Sequence, residues 1–150
     1  MTKRVLYLNV HNRDYPRNAR IREHLTSIGA EYEIVDRIDY DSYVLTSLRL
    51  ARRALRVKGP FSAVILSELG VQYALVARVV AWRHRATLIV DAFVGMYESN
   101  VLDWARVSRS SPTALIYKTF DILASILREP SWSTPIYAER ELGKKAPDRL

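Results

Sequence analysis

Residues 11–20 bring together His11, Asn12, Arg13, Asp14, Arg17, Asn18 and Arg20. Arginine offers a planar donor fork that fits phosphate and carboxylate. An asparagine amide both donates and accepts, and histidine changes charge near neutrality. Such a set suits an anionic or hydroxyl-rich ligand, and a loop that only turned a corner would need fewer charges. The alternative is a solvated loop beside a helix start, and His11 on its own either positions a ligand or is simply hydrated. Asp91 closes an apolar run, where a carboxylate can act as a base, bind hydroxyls or cap structure. Glu68, after another apolar run, is a weaker candidate of the same kind. Tyr97 belongs to the mixed stretch Ala92–Val107, read as a substrate-facing loop.

These residues need a scaffold to position them. Arg4–Val10 is nearly continuous apolar and reads as a parallel strand covered on both faces. Proline at 16 precedes a helical pattern, Arg17 to Gly29, with Ile21, Leu25 and Ile28 at helical spacing and Gly29 as its stop. Glu31–Asp36 alternates as a second strand. A helix follows from Ser42 to Val57, with Val44, Leu45, Leu48, Ala51 and Leu55 read as its core face. Arg49, Arg52, Arg53 and Arg56 line its opposite face. That basic stripe is either a solvated face or a contact for anionic lipid headgroups or an acidic partner.

Lys58-Gly59-Pro60 breaks the helix. Phe61–Leu66 is a third strand, Ser67–Gly70 a second loop at the same sheet edge, and Val71–Arg83 a helix apolar almost all round, expected to be buried. Ala86–Val90 is a fourth strand. Pro112 and its preceding serines open a last helix that runs to Arg128. Beyond it, residues 131–150 read as a partly irregular extension with a short element around Ile136–Leu142. The order strand–helix–strand–helix–strand–helix–strand–helix predicts a Rossmann-like, doubly wound parallel sheet with helices on both faces, a single domain over residues 1–130. In that fold the first loop lies at the carboxyl end of the first strand, where ligands bind.

Composition narrows the chemistry. The 150 residues contain no cysteine, which excludes disulfides and thiolate nucleophiles and fits a reducing, cytoplasmic setting. Net charge is +7, with 23 Lys and Arg against 16 Asp and Glu, a bias toward an anionic partner. No stretch reaches the roughly 18–20 apolar residues a membrane span requires. Asp36 at the end of the second strand could hold ribose hydroxyls in a dinucleotide fold. The first loop has no glycine, however, so a classical NAD site is rejected and Asp36 is read as a loop residue or helix cap. The three histidines are scattered and no metal site is expected. No Walker A or G-x-S-x-G motif occurs. No helix-turn-helix, RNP or zinc-finger pattern supports a nucleic-acid partner.

Two segments together resemble a known family. VLYLNVHNRDYPRNARIREHLTSIGAEYEIV resembles the opening of the N-terminal domain of GT-B glycosyltransferases of the family 4-like group. There a first strand leads into R-x-Y-P-R-N-x-R, matched here by Arg13, Tyr15, Pro16, Arg17, Asn18 and Arg20. IVDAFVGMYESNVLDWARVSRSSP is similar to the D-x-F-x-S-x-Y-x-T segment of the same proteins. Asp91, Phe93 and Tyr97 fit, Gly95 stands where serine is usual and Ser99 replaces threonine.

The resemblance implies an acceptor-binding domain, half of a GT-B fold. The intact enzyme would transfer sugar from a nucleotide-sugar donor to an acceptor hydroxyl. His11, Asn12, Arg13, Arg17, Asn18, Arg20, Glu68 and Tyr97 would bind the acceptor, with Asp91 as the catalytic candidate. In this family the C-terminal domain holds the nucleotide sugar, so this chain is expected to bind no cofactor itself. Its partner would be a C-terminal donor domain or a separate chain, and the sequence is either a fragment or a stand-alone homologue. An arginine-rich cleft suits a phosphorylated or lipid-linked acceptor, with Arg49–Arg56 facing the inner side of a membrane. The competing expectation is a non-catalytic Rossmann-like interaction module that forms a homo-oligomer or pairs with another chain.

Overall fold

The computed structural model of the chain describes residues 3–38, 42–92 and 95–127. The expected element around Ile136–Leu142, the C-terminal extension and Phe93 lie outside them. Four strands, β1 (Arg4–Val10), β2 (Glu31–Asp36), β3 (Ala63–Leu66) and β4 (Thr87–Val90), form one parallel sheet in the order β2-β1-β3-β4. Helices α1 (Pro16–Ser27), α2 (Tyr43–Arg56), α3 (Ala74–His84) and α4 (Pro112–Leu127) cover both faces. This is the Rossmann-like α/β arrangement that the strand–helix alternation predicts.

Two cores follow from the alternation of β1. Leu6 and Leu8 point to one side, among Leu50, Ala54, Ala77, Ala81 and Ala124 of α2, α3 and α4. Val5 and Tyr7 point to the other, against Leu25 of α1. Asn9 has φ +60° and sits where the β1–β2 register shifts. This bulge adds one residue, so Val10 joins the Val5 and Tyr7 side instead of the Leu8 side. Asparagine tolerates the left-handed conformation better than most side chains. Helix α1 ends as expected: Gly29 takes φ +67°, its N–H donates to the Thr26 carbonyl, and that of Ala30 donates to the Leu25 carbonyl.

Three expectations need correction. The core face of α2 is not the leucine stripe: Thr46, Leu50 and Ala54 are buried, whereas Val44, Leu45, Leu48 and Leu55 are exposed, Leu48 by 61 %. Nor does Arg52 lie opposite the leucines, as the basic-stripe reading has it: it shares a face with Leu48 and Leu55, so turning that face inward would bury a guanidinium, which is costly without a paired anion. Tyr43 instead anchors the helix, stacking on Tyr73, packing at a tilt against Phe120 and donating from its hydroxyl to the Gln72 carbonyl.

Helix α3 is also not buried all round. It begins after a 3-10 turn (Val71–Tyr73) and buries Ala74, Ala77, Val80 and Ala81, while Leu75, Val79 and Trp82 form an exposed row. Small residues face inward because three helices share this side of the sheet and must approach closely.

Lastly, the stretch Ala92–Val107 is not simply a loop. It contains a π-helical segment, Glu98–Asp103, with Val101 buried. A long-range contact starts it: both carboxylate oxygens of Asp121, on α4, accept from the N–H groups of Met96 and Tyr97.

Candidate functional site

The chain steps from β1 outward to β2, then returns past β1 to β3. The two loops leaving β1 and β3 therefore diverge, opening the crevice in which doubly wound sheets bind ligands. His11–Tyr15 leaves β1 and Ser67–Gly70 leaves β3 at this edge of the sheet. The loops are tied to the sheet edge, with Ser67 N–H donating to the Leu8 carbonyl at 3.0 Å.

Arg17, in the first turn of α1, reaches the end of β4. Its Nε donates to one Asp91 oxygen at 2.7 Å and its Nη2 to the other. The Asp91 side chain is 10 % exposed and that of Arg17 39 %. The bidentate pair raises the affinity of Arg17 for its proton, chiefly through the hydrogen bond to Asp91. Each Asp91 oxygen accepts one Arg17 hydrogen bond and keeps a second lone pair that could accept from a ligand hydroxyl.

Beneath this pair lies a buried polar network. The Tyr7 hydroxyl donates to Oδ1 of Asn18. The Asn18 amide nitrogen donates to the Asn12 carbonyl at 2.8 Å and to Glu68 Oε1 at 3.3 Å. The Ser67 hydroxyl donates to Glu68 Oε2 at 2.7 Å. Burial, followed by the nearby Glu68 charge, pushes the Tyr7 phenol well above its ordinary value. Glu68 is 6 % exposed and makes no salt bridge among the described residues. Glu68 is thus a buried carboxylate whose two oxygens are held by neutral donors, Asn18 and Ser67.

The sequence candidates divide accordingly. Asn12, Arg17, Asn18, Glu68 and Asp91 come together in this crevice. His11 is exposed in the loop that leaves β1. Arg13 turns toward β2, where its Nε and Nη2 grip both oxygens of Asp36 at 2.9 and 2.7 Å. Asp36 is thus an ion-pair partner of the first loop and not a helix cap. The Arg13 hydrogen bond holds the Asp36 carboxyl below its usual range. Arg20 is exposed, one turn beyond Arg17 on α1. Tyr97 lines a shallow groove with Gly95, Glu98 and Lys118, separate from the Asn18 network. Arg49, Arg52, Arg53 and Arg56 are exposed on α2, with Arg53 near enough to Asp36 to help hold its carboxyl down.

Sequence reasoning missed Tyr7 and Ser67 and ranked Glu68 low. Tyr7 reads as one more apolar strand residue, and its only distinguishing signal is a hydroxyl within an otherwise hydrocarbon run. Asp121 is a further residue that the sequence marks, being the lone carboxylate of an otherwise apolar helix. Among the described residues no group of three or more His, Asp or Glu side chains could hold a metal ion.

No family model, curated protein or solved structure matches this chain.

Proposed function

We propose that this chain is the acceptor-binding, Rossmann-like half of a GT-B-type glycosyltransferase. The observation that carries the reading is the convergence of Arg17, Asn18, Glu68 and Asp91 at the switch point between β1 and β3. These residues come from segments remote in sequence, including both segments that resemble the glycosyltransferases. An acceptor hydroxyl would hydrogen-bond to a carboxylate here, Asp91 or Glu68. Arg17 and Arg20 would face a phosphate on the same acceptor. The start of α1 favours an anion too, since its first turn carries no acidic residue and no side chain caps it. In the intact enzyme the acceptor oxygen bonds to the anomeric carbon as the nucleotide diphosphate leaves, and the hydroxyl proton passes to a base such as Asp91. The nucleotide sugar belongs to a donor domain or a partner chain.

The test is amide NMR of the full chain, titrated separately with a short prenyl monophosphate and with uridine diphosphate. The expected result is shifts at Arg17, Asn18 and Gly70 with the prenyl phosphate, lost in Arg17→Ala and Glu68→Gln, and little response to the nucleotide. No response to the prenyl phosphate, or equal binding of uridine diphosphate at these amides, would overturn the reading. The second reading, an interaction module, draws on the exposed apolar residues of α2, α3 and α4.

A further inference from the structure

Helices α2, α3 and α4 lie side by side on one face of the sheet. Each buries only a narrow strip, mostly of small side chains apart from Leu50 on α2 and Val80 on α3, and turns large apolar ones outward. On α2 the exposed stripe runs through Val44, Leu48 and Leu55; on α3, Leu75 and Val79 lead to Trp82, which is 77 % exposed. On α4, Leu115, Ile122 and Ile126 are all at least half exposed. Scattered exposed apolar residues are ordinary, but three adjacent helices that all do this make a patch.

Among the described residues, the charges carried on the outer faces of α2 and α3 are all positive, with Asp36 close to Arg53 at one edge. Arg52 stands within the leucine stripe of α2, with Arg49, Arg53 and Arg56 along its flank, and Arg83 follows Trp82 on α3. Neither α2 nor α3 contains a carboxylate. The single one on α4, Asp121, is turned inward onto the Met96 and Tyr97 N–H groups. A second copy of this chain would set the same arginines near one another. A protein partner would have to supply both a large apolar surface and a row of acids. A bilayer containing anionic lipid supplies both: acyl chains for the leucines and Trp82, and phosphates for the arginines. Among the described residues no helix is long and apolar enough to cross a membrane, so the geometry is that of a face lying on the surface.

We propose that the α2–α3–α4 face docks this protein on anionic membrane surfaces. Docking is independent of the crevice between β1 and β3, so the two readings fail separately. The experiment is co-sedimentation of the full chain with vesicles of phosphatidylcholine alone and of phosphatidylcholine mixed with phosphatidylglycerol. Binding to the mixed vesicles is expected to be much the stronger. Each of Arg52→Gln and Arg56→Gln should weaken it about fivefold, and the pair about 25-fold. Leu48→Ser with Trp82→Ser should abolish binding while the circular dichroism and the prenyl phosphate response stay unchanged. Equal or absent binding to both vesicle types would overturn the proposal. So would a dimer by light scattering that Trp82→Ser dissociates, which would assign the face to a second copy.

Discussion

Arg17 and Asp91 are 74 residues apart in sequence, yet Arg17 closes both of its fork nitrogens on the Asp91 carboxylate, one at 2.7 Å. The pair joins the start of α1 to the end of β4 across the carboxyl edge of the sheet. A double-mutant cycle with Arg17→Ala and Asp91→Ala should give a coupling of about 1–2 kcal/mol. Charged hydrogen bonds contribute more than neutral ones, but the 39 % exposure of Arg17 admits screening water. Urea melts of the four proteins measure it, and additive effects would show that the pair contributes nothing to the fold.

Tyr7 should make stability fall in alkali. Below its ordinary value of 10.0 both folded and unfolded chains keep the phenol proton, and the Tyr7 contribution is complete. Above it the unfolded chain ionises while the buried phenol, raised by desolvation and by Glu68, does not. Stability is therefore lost as pH rises above 10.0, by at most about 1.4 kcal/mol per pH unit from this residue. Tyr7→Phe should show a shallower alkaline decline in its urea midpoint. An unchanged slope would mean that Tyr7 ionises as freely in the fold as outside it.

Gly95 and Asp121 act together. A Cβ at position 95 would lie 2.8 Å from Asp121 Oδ2, the oxygen that accepts from Tyr97 N–H. Gly95→Ala should displace the carboxylate, and Asp121→Ala removes it. Each should cost about 1 kcal/mol, the usual loss on removing a helix cap. Because both break one contact, the double variant should cost little more than either alone. Full additivity in thermal melts would refute the shared mechanism.

Leu50 and Leu48 separate the two faces of α2. Leu50→Ala should cost about 2–5 kcal/mol, since Leu50 is fully buried in the core with Leu6 and Leu8. Leu48→Ala should stay within about 0.5 kcal/mol. Equal losses would return the leucine stripe to the core.

The parallel sheet was legible because three of its strands are short, nearly unbroken apolar runs and β2 alternates, all separated by helical patterns, and right-handed crossovers leave few ways to wind them. The crevice was legible for the related reason that polar residues gather where strands end. Arg17, Asn18 and Asp91 stood out there because charge is conspicuous beside apolar runs. Glu68 was harder to weigh, since a carboxylate after a strand is common and only its neighbours Ser67 and Asn18 show that it is buried.

What the sequence by itself determined is the set of local preferences: which segments are strands or helices, where glycine and proline end them, and which residues could serve a ligand. Only the tertiary structure decided how these meet. Helical periodicity shows that α2 has a leucine face, but not which face the sheet accepts. That depended on Arg52, whose charge resists burial, and on the close packing that small residues permit between α2 and its neighbours. Nor could sequence pair Arg17 with Asp91, seat Asn18 on Tyr7, or cap Met96 and Tyr97 with Asp121. Each of these contacts joins residues brought together only once the sheet has formed, and no local pattern encodes the meeting.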